Sequence, residues 1–220
     1  MSLFKDSALP LKSDKLHVTL FGNGSVNPVY HGGSGGPANK GVNLKTALTE
    51  NGFSINETVY DKIDAEKVTR GNSNIGEVSA SIYDSNDYAG YKDAAIVTIT
   101  RFGGETNDMD VVDSYGVPEL SFHEQEKAMM DKVKAGGFDK IIVLLNTGYA
   151  MDLGWLEDYD VDACLWIGYP GESGMEAVAK MLNGEMVPSG RLVDTYAASS
   201  LSSPAMRNFG NFTFSDLPNN

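Results

Sequence analysis

A three-layer α/β/α sandwich around a mainly parallel sheet is the fold this sequence predicts, on two observations. Three runs, Ala94–Thr100, Ile141–Leu145 and Ala163–Ile167, are apolar on both faces, as strands are when helices cover both sides of a sheet. Segments with apolar residues at helical spacing stand between such runs, so strand and helix alternate along the chain. The 220 residues, 41% hydrophobic, are enough for one large domain with a buried core. The reading is a single domain over 1–220, with terminal segments at about 1–12 and 200–220.

In order, Leu16–Phe21 is rich in strand formers and stops at Gly22. Leu44, Ala47 and Leu48 have helical spacing, and Asn51-Gly52 supplies the stop. Phe53–Tyr60 reads as a second strand, and Ile75, Val78 and Ile82 as a helical face. Ala94–Thr100 follows as a buried strand. Ser121–Lys134 is the clearest helix, with Ser121 and Glu124 spaced as a capping box and Phe122, Met129, Met130 and Val133 on one face. After the strand Ile141–Leu145 comes a short helix at Leu153–Glu157. The strand Ala163–Ile167 and a helix carrying Met175, Val178, Ala179 and Leu182, ended near Gly184, complete the pattern.

Charge and composition exclude several function classes. Asp and Glu number 30 against 17 Lys and Arg, a formal charge of −13, which opposes nonspecific nucleic-acid binding and serves solubility. No apolar run reaches membrane-span length, and the opening residues lack a signal peptide's apolar region, so the expected location is cytoplasmic. Cys164, the sole cysteine, sits beside Leu165 and Trp166 and reads as a buried, inert thiol. His17, His31 and His123 have no metal-ligand spacing, and neither metal nor cofactor is expected.

Ligands of parallel sheets gather at the carboxyl ends of strands, which directs attention to two long loops, Gly22–Lys40 and Arg101–Glu119. The first contains His31-Gly32-Gly33-Ser34-Gly35-Gly36. Its G-x-S-x-G pattern lacks the flanking strand and helix of a nucleophile elbow. Gly22-Asn23-Gly24 begins like a dinucleotide loop, but Asn27 occupies the third glycine position. A flexible linker and a sugar-contacting loop both remain open, the latter because glycines expose peptide N–H groups to a ligand. The second loop, Arg101–Asp110, places three carboxylates, Glu105, Asp108 and Asp110, in six residues. On composition it is a solvated acidic loop, with a Ca²⁺ site as a weaker reading. Tyr149 and Tyr169, just after strands, could line a cleft, whereas Trp155 and Trp166 read as packing aromatics.

Six pieces then stand in a specific order. They are Arg101-Phe102-Gly103-Gly104-Glu105-Thr106-Asn107-Asp108-Met109, Leu120–Glu124, Leu145-Asn146-Thr147-Gly148, Trp155-Leu156, Leu165–Gly174 and Gly184–Leu192. Together, over about 93–196, they resemble the sandwich domain of family 3 glycoside hydrolases, the β-glucosidases and their relatives. That resemblance implies retaining hydrolysis of terminal β-linked sugars, with the nucleophilic aspartate in a separate (β/α)₈-type barrel of a larger parent. It also implies that Glu105 is the general acid/base. Thr106 and Met109 depart from the family's glycine and arginine. The sugar-contacting reading of the first loop gives His31, Gly33, Ser34 and Gly35 as the contacts, and by the resemblance Asp108 and Arg101 brace the second loop. Pro188–Leu192 is then a turn into a last strand. The expected partners are carbohydrate and the barrel, with the chain inactive alone. A noncatalytic carbohydrate-binding or structural domain of the same enzyme is the alternative.

Overall fold

The computed structural model describes residues 2–5, 8–12, 14, 16–32, 41–68, 76–103 and 118–207. Its strands are β1 (Ser2–Phe4), β2 (His17–Phe21), β3 (Ser54–Ile55), β4 (Ala94–Arg101), β5 (Ile141–Thr147) and β6 (Ala163–Trp166). They form one sheet in the order β1-β6-β5-β4-β2-β3. All neighbours are parallel except β1, which runs antiparallel to β6 with Leu3 opposite Cys164. The helices are α1 (Leu44–Glu50), α2 (Glu57–Ala65), α3 (Glu124–Ala135), α4 (Trp155–Asp158), α5 (Gly174–Asn183) and α6 (Pro204–Arg207).

The central strands bury both faces because their side chains alternate between two cores. Val97, Ile99, Val143 and Leu145 point into one, with Val59 and Ile63 of α2, Met129, Met130 and Val133 of α3, and Trp155 of α4. Ile96, Ile142, Leu144 and Leu165 point into the other, with Leu44 and Leu48 of α1 and Met175, Val178 and Leu182 of α5. The predicted three-layer α/β/α sandwich with a mainly parallel sheet is therefore the observed one. Phe122 stacks on Trp155 with ring centroids 4.0 Å apart, closing the first core at its α4 end. Cys164 is 4% exposed, and burial pushes its thiol up to about 12.

Four sequence expectations are corrected. The second strand stops at Ile55, because the Asn56 side chain accepts the Val59 N–H and starts α2. Of the helical face proposed after residue 70, Val78 and Ile82 lie outside any α-helix; Ala80–Ile82 is a 3₁₀ turn capped by Ser79, and Ile75 lies outside the described residues. Helix α3 begins at Glu124 rather than Ser121, since the Ser121 hydroxyl turns back to the Pro118 carbonyl while Glu126 accepts the His123 N–H at 2.9 Å. Pro188–Leu192 leads into irregular chain, not a last strand.

The opening residues do more than the sequence suggests. Besides forming β1, they place Ala8 and Leu11 in the second core, and the Leu11 N–H donates to the Leu182 carbonyl.

Candidate functional site

Parallel sheets of this kind usually bind ligands where strand order reverses, here between β2 and β4. In this chain that crevice is closed by the chain itself. After β2 the backbone turns at Gly22, with φ at +88°, and Asn23–Ser25 form a buried 3₁₀ turn. A side chain at Gly24 would put its Cβ 2.6 Å from Thr100 Cγ2, so the turn lies directly on β4. Its N–H groups are used internally: Gly22 donates to the Tyr83 hydroxyl and Asn23 to Glu77 Oε1. Gly22-Asn23-Gly24 thus has the glycines of a phosphate loop but presents no phosphate cradle.

The chain instead gathers over β4, β5 and β6. Asn146, the last but one residue of β5, is fully buried and uses its whole amide. It accepts the Val29 N–H at 2.7 Å and donates to the Val29 and Gly168 carbonyls at 2.8 and 2.6 Å. The loop after β2 is thereby tied to the turn after β6, and the Gly171 N–H adds a bond to the Tyr30 carbonyl. Tyr169 then wedges between two glycines. A Cβ at Gly32 would lie 2.5 Å from its ring, and one at Gly148 2.8 Å from it. Only glycine fits at either position.

The Tyr169 hydroxyl reaches the chain leaving β4. It accepts the Gly103 N–H and donates to the Gly103 carbonyl, both at 3.0 Å. Tyr149 adds a bond from its hydroxyl to the Phe102 carbonyl at 3.1 Å. Its phenol is pushed up chiefly by burial, then by Glu119, with Arg101 opposing. These tyrosines therefore fasten a loop stem, where the sequence suggested that they line a cleft.

Arg101, the final residue of β4, fastens the returning end of the same loop. It is fully buried and satisfies all five donors. Nη1 and Nη2 bond Glu126 Oε1 and Oε2 at 2.6 and 2.9 Å. Nε bonds the Glu119 carbonyl at 2.9 Å, Nη2 the Ser121 carbonyl at 2.7 Å, and Nη1 the Thr100 carbonyl at 2.8 Å. Burial opposes the guanidinium charge, but the adjoining Glu126 carboxylate outweighs this and holds its pKa above the ordinary value. The Asp152 N–H donates to the Leu120 carbonyl and adds a second support.

The two long loops of the sequence thus leave the sheet at one place: Gly32 and Gly103 meet across Tyr169, with Gly103 O 2.9 Å from where a Gly32 Cβ would stand. Of the predicted site residues, Arg101 and His31 are described. His31 is half-buried, and its Nε2 is shielded from solvent with no hydrogen-bond partner among the described residues. Glu105, Asp108, Gly33, Ser34 and Gly35 lie outside the described residues. Sequence reasoning missed the parts played by Asn146, Tyr169 and Glu126. The first two stood in plain motifs, Asn-x-Gly and Tyr-Pro-Gly, with no sign that they touch. Among the described residues no group of three His, Cys, Asp or Glu side chains could hold a metal ion. A cavity of about 330 Å³ lies apart, between β5, β6, α4 and the segment 192–198; Leu145, Leu156, Cys164 and Trp166 make it apolar, unlike a sugar site.

Comparison with known proteins agrees with this fold. Residues 3–216 match the family model described as Glycosyl hydrolase family 3 C-terminal domain. The chain belongs to that family. The similar curated proteins include a β-glucosidase of Ruminococcus albus, 31% identical over 95% of this chain and 23% of its own length. β-Glucosidase A of Butyrivibrio fibrisolvens is 28% identical over 92% of this chain and 28% of its own. This family 3 C-terminal domain therefore spans about a quarter of the length of the curated relatives it matches. Among solved structures, a β-glucosidase from Paenibacillus barengoltzii superposes with a TM-score of 0.78, at 24% identity over 94% of this chain and 24% of that one. β-Glucosidase 3B from Thermotoga neapolitana, solved in complex with glucose, gives 0.75 at 22% identity, over 99% of this chain and 32% of that one. These likenesses establish the fold. Among the described residues no helix is long and apolar enough to cross a membrane.

Proposed function

We propose that this chain forms one side of the sugar site of a retaining glycosidase acting on terminal β-linked sugars, with Glu105 as general acid/base. The observation that carries the reading is the convergence of both loop stems at the carboxyl end of the sheet, around Tyr169. Glu105 follows Gly103 by two residues, a tether of about 7 Å. Retention needs two carboxyl groups roughly 5 Å apart, one as nucleophile and one as acid, then base. A barrel of the same enzyme would supply the nucleophile. Glu105 would protonate the departing oxygen, then take a proton from the water that releases the sugar. To be protonated at the working pH it needs an apolar or anionic setting, which the sugar and barrel would provide on closing over it. His31 and the N–H groups of Gly33, Ser34 and Gly35 would meet sugar hydroxyls, and Asp108 and Arg101 would hold the loop.

The test is Glu105→Gln in the enzyme that joins this chain to its barrel. Hydrolysis of a glycoside with a poor leaving group should fall by about 10²–10⁴-fold. Azide should restore turnover of an activated aryl glycoside, giving the β-glycosyl azide. A wild-type rate would instead favour a noncatalytic carbohydrate-binding or structural domain. Relatives carry both β-glucosidase and β-xylosidase names, so aryl β-glucoside and β-xyloside assayed side by side decide the sugar. The chain alone should hydrolyse neither.

A further inference from the structure

We infer that Tyr169 is a positioning residue for the acid/base loop, acting through the backbone of Gly103. The inference rests on the assignment of Glu105 proposed above. The phenol has one proton and two lone pairs. Its proton goes to the Gly103 carbonyl at 3.0 Å, with the Arg101 carbonyl a weaker alternative at 3.4 Å. One lone pair takes the Gly103 N–H. A single oxygen therefore holds both polar groups of one peptide residue.

The residue it holds is one that needs holding. Gly103 is followed by Gly104, and two successive glycines have the widest backbone freedom available. Without an external constraint, the backbone direction at Gly103 is unspecified. The phenol is itself immobilised on both sides. Gly168, just before it, bonds Asn146 through its carbonyl, and Gly171, just after, bonds the Tyr30 carbonyl. Gly32 and Gly148 lie against the ring, so it cannot swing without moving backbone. Tyr169 thereby refers the position of Gly103 to the rigid end of β6. The same ring contacts Gly32, so both sugar-facing loops share one reference point.

Tyr169→Phe, in the enzyme carrying the barrel, removes only the hydroxyl. The measurement is kcat/KM on two glycosides of one sugar, an alkyl glycoside and a 2,4-dinitrophenyl glycoside. Departure of the alkoxide needs the acid, and departure of dinitrophenolate does not. A misdirected acid should lower kcat/KM on the alkyl glycoside about tenfold or more. On the dinitrophenyl glycoside the loss should stay within about twofold, so the ratio of the two changes at least about fivefold. A purely structural role lowers both together, and an unchanged ratio would overturn the inference. Should Tyr169→Phe fold poorly, hydrogen exchange of the Gly103 amide in the unaltered protein keeps the inference testable: the phenol should protect it, and exchange at the rate of an exposed amide would overturn the inference. Glu105→Gln separates the two ideas. A wild-type rate there ends the acid/base reading itself. A collapsed rate rescued by azide, beside an unchanged ratio in Tyr169→Phe, ends only the role of Tyr169.

Discussion

Glu126→Gln is the most direct probe of how the chain secures the long loop after β4. The substitution keeps the volume of the side chain and leaves an oxygen that can still accept the His123 N–H, so the start of α3 survives. What it removes is the charge opposite Arg101. The guanidinium is fully buried and its carboxylate partner is 2% exposed, so solvent cannot take over. The amide also turns an N–H toward a guanidinium N–H, where two acceptors stood before. Breaking one side of such a pair costs about 3–5 kcal/mol, because the remaining charge is left buried and unbalanced. For a chain of this size 1 kcal/mol lowers Tm by roughly 2–4 °C. Thermal unfolding followed by circular dichroism should therefore show a fall of roughly 10 °C. A change below about 2 °C would refute the reasoning, since it would mean that water or another anion replaces Glu126. Because Arg101 also holds the Glu119 and Ser121 carbonyls, exchange of the amides around those residues should accelerate as well.

Two further outcomes follow from burial. The Cys164 thiol is raised to about 12 from an ordinary 9.0, and the Tyr60 phenol, desolvated and close to Asp64, to about 12 from 10.0. The folded chain thus binds these protons more tightly than the unfolded chain. Their stabilisation is complete below about pH 9 and is lost as the pH rises toward about 12. The urea midpoint should decline across that window, and rapid stoichiometric labelling of native Cys164 by a disulfide reagent at pH 8 would count against it. Tyr88 is 0% exposed, and its hydroxyl has no hydrogen-bond partner among the described residues. Tyr88→Phe should accordingly raise stability by about 1 kcal/mol in urea unfolding; a loss of that size would show that the hydroxyl is bonded after all.

The legible parts of the fold were those where one residue pattern has one solution. β4, β5 and β6 are apolar on both faces, which only a covered parallel sheet accommodates. Helix α5 shows a clean apolar stripe and ends at Gly184, whose φ of +87° suits glycine. Legibility failed where two local solutions compete. Phe53–Tyr60 has strand formers at both ends (Phe53 and Ile55, then Thr58, Val59 and Tyr60), and the cap at Asn56 divides it into a two-residue strand and a helix. It failed also where pairing is distant: Ser2–Phe4 becomes a strand only because the edge of β6, some 160 residues on, is open to it.

For the candidate site, the sequence alone pointed to two long loops, since a long loop after a buried strand is read from length and pattern. It determined the family motifs too, because their order is a linear property. Only the tertiary structure decided that the motifs are parts of one contact. Asn146 reaches Val29 across 117 positions, and Tyr169 reaches Gly103 across 66. No periodicity carries information over such separations. Gly32 reads as flexible linker in the sequence and Gly148 as the end of a motif, and the ring of Tyr169 between them makes each a steric requirement. Likewise Gly22-Asn23-Gly24 reads as the start of a phosphate loop, and its contact with β4 closes the crevice where a phosphate would sit. The sheet follows from local pattern because burial on two faces is written into each strand, whereas the meeting of loops at its carboxyl end depends on shape and on hydrogen bonds that exist only once the strands are in order.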